Sequence, residues 1–290
     1  MHTQPLTRDR SVQYRTLKQI TSGLPTSDGA GVDLTRLIGS PQLNMLDPFL
    51  LLDHIHADDP EEYIQGFPMH PHRGFETVTY LLAGRMRHKD SAGHEGVVLP
   101  GGVQWMTAGR GVEHSEMPEQ ADGLLSGFQL WVNLPRAQKM QPPAYQEFTP
   151  DSIPVQHLPQ EGGAVRVVSG LTDAGIQGPV ESPWVDALYL DIALTRNTLF
   201  EQHVPHGHNG FVYIMEGDGV VDPNSRLSAQ QLGVLGQGDR VAVRAGDQGV
   251  RMLLVAGRPL HEPVARGGPF VMNEREEIVQ AFEDYQQGRF

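Results

Sequence analysis

The 290-residue chain has no cysteine, a surplus of acidic side chains and no apolar run long enough to span a bilayer. Without cysteine it can form neither disulfides nor thiolate metal sites, and a cytoplasmic location is expected. Its 22 Lys and Arg against 35 Asp and Glu give a formal net charge of −13. Because phosphate binding draws on an excess of Lys and Arg, we expect no direct contact with nucleic acid or membrane. Residues Met1 to Gln13 lack an apolar core, so no secretory signal is predicted.

The residues that are abundant indicate many turns, because the chain has 33 Gly and 22 Pro. Short apolar stretches alternate with Gly, Pro, Asp and Asn along the whole chain. The clearest of them are Asp33–Leu37, Phe49–Leu52, Thr77–Leu82, Gly127–Leu134, Val165–Val168, Ala187–Leu194, Phe211–Met215 and Val250–Val255. Short strands at this spacing predict an all-β fold of the sandwich or barrel type.

Only the end of the chain has a helical pattern. Asn273 is a candidate N-cap, and Glu276 three residues later completes a capping-box pattern. An apolar stripe at helical spacing follows, made by Ile278, Val279, Phe282 and Tyr285. We therefore predict a short C-terminal helix that packs on the β-structure.

Two pairs of metal-ligand residue types share an i, i+2 spacing: His70 with His72, and His114 with Glu116. On a strand such residues point to the same side, whereas on a helix they lie about 200° apart. Two pairs on neighbouring strands can aim three imidazoles and one carboxylate at one ion. These donors accommodate Fe, Mn, Co, Ni, Cu or Zn, and affinity alone would favour copper or zinc over iron. The sequence therefore predicts one divalent transition metal, with coordination positions left for water or substrate.

The first histidine pair has an echo, because residues 70–75 and 206–211 both read His-x-His-x-Gly-Phe. The echo supports two similar β-domains in tandem. We predict an N-terminal metal-binding domain over residues 1–141 and a C-terminal domain with the helix over residues 155–290. Residues 142–154 hold a high density of proline and are the predicted linker. The later strands of the second half, residues 232–255, contain no histidine, so that domain is expected to be metal-free.

These motifs resemble the paired motifs of the cupin superfamily and, more narrowly, the chain resembles the pirin family of two-domain cupins. The resemblance is carried by HPHRGFETVTYLLAGRMRHKDSAGHEG at 70–96, QWMTAGRGVEHSEMP at 104–118, QLWVNLP at 129–135 and GPFVMNEREEI at 268–278. It implies two tandem cupin-type β-barrels, a bicupin. It also implies that an iron or another divalent metal is held by His70, His72, His114 and Glu116. Many cupins use a carboxylate at the position of Glu76 instead, and the retained His206 and His208 leave metal binding in the second cupin open.

The resemblance implies flavonol dioxygenase (quercetinase) activity in some members and transcriptional coregulation in others. Three neutral imidazoles and a carboxylate leave a divalent ion with a charge of about +1, which favours an anionic oxygen ligand such as a flavonolate. Glu116 would then be both ligand and general base. The expected reactants are a small aromatic substrate and dioxygen. Candidate residues for the apolar walls of the substrate site are Phe67, Met69, Phe75 and Trp105.

Two other hypotheses compete with an oxygenase. A non-enzymatic, iron-dependent redox sensor would change its surface with the valence of the metal and so regulate a protein partner. A regulator of a metabolic enzyme would need no metal chemistry. Among the other histidines, His54 and His56 are predicted to lie in a surface loop. His88 and His94 flank a polar turn, either near the metal or in solvent.

Overall fold

The computed structural model describes residues 12–222 and 225–290, so residues 1–11 of the segment examined for a secretory signal lie outside the described residues. In the first half of the chain the strands are β1 (Leu17–Thr21), β2 (Leu24–Asp28), β3 (Val32–Ile38), β4 (Phe49–Ala57), β5 (Phe67–His72), β6 (Phe75–Ala83), β7 (Met86–Asp90), β8 (Glu95–Val98), β9 (Val103–Thr107), β10 (Val112–Pro118), β11 (Leu125–Asn133) and β12 (Ala144–Phe148). In the second half they are β13 (Val155–His157), β14 (Gly163–Ser169), β15 (Leu188–Leu194), β16 (Leu199–His203), β17 (Asn209–Asp222), β18 (Ser225–Ser228), β19 (Leu232–Leu235), β20 (Arg240–Gly257), β21 (Ala265–Gly267) and β22 (Phe270–Met272). Short 3₁₀ turns span Pro60–Glu62, Arg136–Gln138, Pro150–Ser152 and Pro159–Glu161, and α1 spans Arg275–Gln286.

The first of two compact units comprises Leu24–Ile153 and Leu260–Phe290. It contains a seven-stranded sheet in the order β12-β9-β6-β11-β4-β3-β2 and a four-stranded sheet in the order β5-β10-β7-β8. Alternate residues of both sheets point into one core, where Leu81 of β6 meets Met86 of β7 and Val98 of β8. This packing of two antiparallel sheets is typical of a β-sandwich that closes into a barrel.

The second unit comprises residues 12–23 and Pro154–Pro259. Its main sheet runs in the order β1-β19-β17-β20-β15-β14-β13, with β16 paired to β20 and β18 paired to β17. The strands β17 and β20 have 14 and 18 residues, and their register shifts near Gly217. Such shifts bend a strand, which lets long strands curl around a core of buried aliphatic side chains. The predicted all-β fold with two β-domains and one short helix is confirmed.

The boundaries of the two units differ from the predicted domains. Strand β1 belongs to the second unit because it pairs with β19, and β22 belongs to the first unit, where Val271 N donates to Arg73 O at 3.0 Å. The predicted linker, residues 142–154, contains β12, which pairs with β9 over its whole length. Its prolines flank the strand, where they leave the ladder hydrogen bonds intact.

The N-cap of the C-terminal helix lies one residue later than predicted. Glu274 is the N-cap, and its partner in the capping box is Glu277, so the assignment to Asn273 and Glu276 is wrong. Asn273 instead donates its side-chain amide to Pro263 O at 2.8 Å. Val279, which was predicted to lie in the apolar stripe, is 54% exposed, whereas Ile278 and Ala281 are buried. Within the described residues, no helix has the length and apolarity needed to cross a membrane.

Candidate metal centre

The three predicted histidine ligands lie on two neighbouring strands of the first unit. His70 and His72 lie at the end of β5, and His114 of β10 is directly opposite His70. Residues two apart on a strand point to the same side, as do residues opposed across an antiparallel ladder. The ring centroid of His70 is therefore 4.5 Å from that of His114 and 4.7 Å from that of His72.

The ring nitrogens of these histidines are arranged as donors to one point. One nitrogen from each ring lies within 4.8 Å of the other two, and Nε2 of His70 is 3.0 Å from Nε2 of His72. On the far side of the rings, His70 Nδ1 faces Pro68 O at 2.8 Å and His72 Nδ1 faces Pro269 O at 3.4 Å. A carbonyl at Nδ1 favours the tautomer whose Nε2 carries the free lone pair.

Burial keeps the imidazoles of His72 and His114 uncharged. His72 and His114 are 3% and 1% exposed. Burial lowers the pKa of His72 well below its ordinary value and that of His114 to about 4, and the neighbouring imidazoles add to both effects. Both ring nitrogens of His114 are buried without a hydrogen bond, which costs about 1–3 kcal/mol for each unsatisfied group. Neutral, converging and unsatisfied nitrogens fit a transition-metal cation.

Glu116 lies on the same face of β10 as His114, after a register shift that sets it opposite Phe67. It is buried, and its carboxylate accepts hydrogen bonds from Thr79 Oγ1 at 2.6 Å and Gln129 Nε2 at 2.8 Å. The group of three ligand atoms within 4.8 Å of one another does not include a Glu116 oxygen. The structure therefore brings the three histidines together and fixes Glu116 beside them. Its part in a four-residue ligand set stays a prediction.

A cavity of about 560 Å³ opens beside these residues, and His70, His72 and Glu116 are part of its wall. This volume lies in the range of small-molecule sites. Its apolar wall consists of Ala30, Leu34, Leu51, Ile55, Phe67, Pro68, Met69, Trp131 and Pro269. Two of the predicted wall residues, Phe67 and Met69, line this cavity, and their contact with a substrate stays a prediction.

Phe75 and Trp105, the other two predicted wall residues, are not among the residues that line this cavity. Phe75 is fully buried, with its ring 5.1 Å from that of His72 and 4.3 Å from that of Trp131. Trp105 is 1% exposed on β9. Both side chains belong to the packed interior, because a large ring on a buried strand gains more from packing than from exposure.

Several residues of the site were missed from the sequence. Trp131, Arg36 and Arg266 line the cavity, and Thr79 and Gln129 hold Glu116. A signal existed for the last two, because each is a polar residue between two large apolar ones in a strand, where a buried partner is expected. No local sequence pattern indicates Arg266. It belongs to Leu260–Phe290, which follows the second unit in the sequence but folds with the first unit.

Arg36 is already paired. It donates to Asp53 at 2.7 Å and to Asp28 at 2.6 Å. The hydrogen bond that Arg36 donates to Asp53 raises the pKa of Arg36, whereas burial raises the pKa of Asp53 itself against the effect of that hydrogen bond. Arg266 has no such ion pair in the described part of the chain: its Nη1 donates to Leu50 O at 3.0 Å, and its guanidinium lies 5.8 Å from the Trp131 ring.

Glu76, the position at which other cupins place a ligand, lies on the opposite face of β6 from Thr79, since the two are three residues apart. Its carboxylate accepts from Thr107 Oγ1 at 2.7 Å, and burial raises its pKa. The predicted loop position of His54 and His56 is wrong. Both lie on β4, where His54 stacks on Phe128 at 4.5 Å, because β4 runs through the residues that were assigned to the loop.

The second histidine pair lies in the turn between β16 and β17 of the second unit. His206 is 63% exposed and its Nδ1 is 3.1 Å from Asp239 Oδ1, while His208 is buried, with Nε2 3.7 Å from Asp186 Oδ2. Burial lowers the pKa of His208. Within the described residues, neither histidine belongs to a group of three metal-ligand types.

Comparison with known proteins gives matches along most of the chain. The family model described as Pirin matches residues 31–132, and the model described as Pirin C-terminal cupin domain matches residues 189–290. A pirin-like protein of Caulobacter vibrioides is 53% identical over 277 residues, which are 95% of this chain and 99% of the relative. A protein of Pseudomonas aeruginosa named "putative quercetin 2,3-dioxygenase" is 46% identical over 282 residues, 95% of this chain and 98% of the relative.

A solved structure confirms the fold. The crystal structure of a quercetin 2,3-dioxygenase from Acinetobacter baumannii aligns with a TM-score of 0.88 and 35% identity, over 96% of this chain and 98% of that chain. The predicted bicupin architecture is thereby confirmed, together with the resemblance on which it was based.

Proposed function

The chain belongs to the pirin family, and on this premise we propose that it is a metal-dependent dioxygenase that opens flavonols such as quercetin. The proposed metal is a divalent transition metal, iron in the working enzyme, held by His70, His72, His114 and Glu116. The names of the Pseudomonas aeruginosa relative and of the Acinetobacter baumannii structure support the type of reaction.

One observation carries the proposal: the buried imidazoles of His72 and His114 converge with that of His70 beside a cavity that is otherwise mainly apolar. Such a wall suits a planar aromatic substrate and keeps water away from it. The ion would supply Lewis acidity, which lowers the pKa of a coordinated hydroxyl group. Arg266 adds a positive charge to a wall that also carries Arg36, Asp28 and Asp53.

Glu116 is the proposed general base for the 3-hydroxyl proton of the flavonol. Its carboxylate faces the cavity, and two donors, Thr79 and Gln129, fix its orientation. A base must lie within hydrogen-bond reach of the proton that it accepts, so this orientation decides whether the transfer can take place. The expected products are a ring-opened ester and carbon monoxide.

We expect Glu116→Gln to lower kcat with quercetin by about 10²–10⁴-fold even after saturation with metal, because glutamine keeps the shape but removes the base. Glu76→Gln is the matched control, since Glu76 is another buried glutamate held by a threonine but lies on the opposite face of β6. Oxygen uptake and carbon monoxide release measure turnover. Wild-type turnover by Glu116→Gln would refute the role of the base. If no metal form consumes oxygen with quercetin, the redox-sensor hypothesis replaces the enzyme.

A further inference from the structure

A second cluster of metal-ligand types lies in the first unit and is separate from the three histidines described above. It contains His88 of β7, His94 of the turn before β8, and Glu147 of β12, and one ligand atom from each lies within 4.8 Å of the others. Glu147 Oε2 is 3.1 Å from His88 Nε2 and 3.7 Å from His94 Nε2. Two imidazole nitrogens thus converge on one carboxylate.

Hydrogen bonds and ring stacking hold the imidazole of His94 in place. Asp90 Oδ1 accepts from the backbone N–H of His94 at 2.7 Å and of Ala92 at 3.0 Å, which closes the turn between β7 and β8. Tyr145 donates its hydroxyl to Asp90 Oδ2 at 2.8 Å, and its ring stacks on that of His94 at 4.3 Å. These contacts therefore fix the turn, Tyr145 and His94 relative to one another.

A residue without a side chain lies beside the point where His88 and Glu147 meet. Gly96 is directly opposite His88 in the β7–β8 ladder, and a Cβ atom there would collide with both His88 Nε2 and Glu147 Oε1. The imidazole of His88 is only 3% exposed, and its buried Nε2, 3.1 Å from Glu147 Oε2, is not aligned for a hydrogen bond. His94 and Glu147 are 44% and 30% exposed, so an ion can enter from solvent.

We propose that His88, His94 and Glu147 form a second site for a divalent transition-metal ion in this chain. Two imidazoles and one carboxylate are the donors that Zn²⁺, Ni²⁺, Co²⁺ and Fe²⁺ accept, and three protein ligands leave a position for water. A single His–carboxylate ion pair needs one histidine, whereas here a second imidazole nitrogen, that of His94, also lies 3.7 Å from the same carboxylate oxygen. The site does not depend on the proposed dioxygenase function.

The test measures zinc bound by the full chain after chelator treatment and dialysis against Zn²⁺, by elemental analysis. We expect two zinc ions per wild-type chain and one in His94→Ala or Glu147→Gln, since each variant removes a ligand of the second site. A His72→Ala/His114→Ala double variant isolates the second site and should keep one ion. Adding Glu147→Gln to that variant should remove it.

Matched controls exclude other histidines and loss of folding. His56→Ala replaces another solvent-facing histidine of the first unit, and His206→Ala replaces the exposed histidine of the second; both should keep two ions. The visible absorption of Co²⁺ reports the ligand field and should change in Glu147→Gln, a change that a merely structural glutamate would not cause. Equal zinc content in wild type and in both His94→Ala and Glu147→Gln overturns the site, as does loss of the second ion in His206→Ala. Circular dichroism of the metal-free variants confirms that they fold.

Discussion

The two His-x-His-x-Gly-Phe motifs, one in each unit, are alike in sequence and different in structure. His70 and His72 lie on β5, and the strand that pairs with it supplies His114. His206 and His208 lie in a turn, outside any ladder of named strands. Spacing alone therefore does not define a metal site: the motif must lie on a strand, and its neighbour must carry the third ligand.

In each unit a buried cationic side chain donates to the backbone of the motif, and this side chain differs as well. In the first unit, the ammonium of Lys139 donates to Gly74 O and Asn133 Oδ1, each at 2.7 Å, and to Val271 O at 3.0 Å. In the second unit, the guanidinium of Arg15 donates to His208 O at 2.7 Å and to Pro205 O at 2.9 Å. Each unit thus anchors its motif to one buried cation. Arg15 binds the carbonyl of a motif histidine, which places a positive charge beside that pair and disfavours a second cation there.

The largest expected difference between the motifs is in metal binding at the histidines. His114→Ala should weaken metal binding at the first motif more than the roughly 10–100-fold typical of losing a supporting hydrogen bond, because it removes a ligand itself. His206→Ala should leave metal affinity unchanged. Chelator competition with each full-length variant measures both values. Unaltered affinity in His114→Ala would remove the distinction between the two motifs.

A smaller effect is expected from the hydroxyl that orients Glu116. Thr79→Val should reduce metal affinity or turnover by about 10–100-fold, since it removes a hydrogen bond to a residue of the site and keeps the side-chain shape. Thr107→Val is the matched control, because its hydroxyl holds Glu76 on the other face of β6. Similar losses in both variants would indicate a general effect on packing, and the proposed support of Glu116 would then be wrong.

The local parts of this architecture were predictable from the sequence, and the long-range parts were not. The alternation of side chains along a strand places His70 and His72 on one side, and the matching spacing of His114 and Glu116 indicates the partner strand. The return of Arg266 and Pro269 to the first unit depends on contacts between distant segments, for which a single sequence gives no pattern. The same limit applies to β1, which joins the second unit through β19.

The cap of α1 shows a limit of another kind. The preferred N-cap side chain is that of Asn273, but the structure places the N-cap at Glu274, with Glu277 as its partner. The choice between them is made by tertiary contacts, because Glu262 and Pro263 accept the side-chain amide of Asn273. Local preference therefore located the helix but not its first residue.

The smallest predicted effect is on the pH dependence of the free energy of unfolding, which should differ between the units of Lys139 and Arg15. Burial lowers the pKa of Lys139 from 10.5 to about 7, whereas the guanidinium of Arg15 stays protonated although burial lowers its pKa as well. At pH values between about 7 and 10.5, the side chain of Lys139 carries a proton in the unfolded chain but not in the folded first unit. The free energy of unfolding of that unit should then rise with pH, by no more than about 1.4 kcal/mol per pH unit, and level off above the unfolded pKa. Below the folded pKa both states are protonated, and the contribution of Lys139 to the slope vanishes.

Tryptophan fluorescence separates the units, because Trp105 and Trp131 lie in the first and Trp184 lies in the second. In a Trp184→Phe background, urea unfolding of the metal-free protein from neutral to alkaline pH follows the first unit. In wild type, the titration of Lys139 contributes to the rise of the unfolding free energy with pH. Lys139→Met should remove this contribution, since methionine fills the same space without a titrating proton. Arg15→Lys, followed through Trp184 with the other two tryptophans replaced by Phe, should create such a slope in the second unit, because a buried ammonium can lose its proton there. An unchanged slope in Lys139→Met would show that the three acceptors keep the ammonium of Lys139 charged over the whole pH range in wild type. Lys139 and Arg15 would then differ in shape but not in titration.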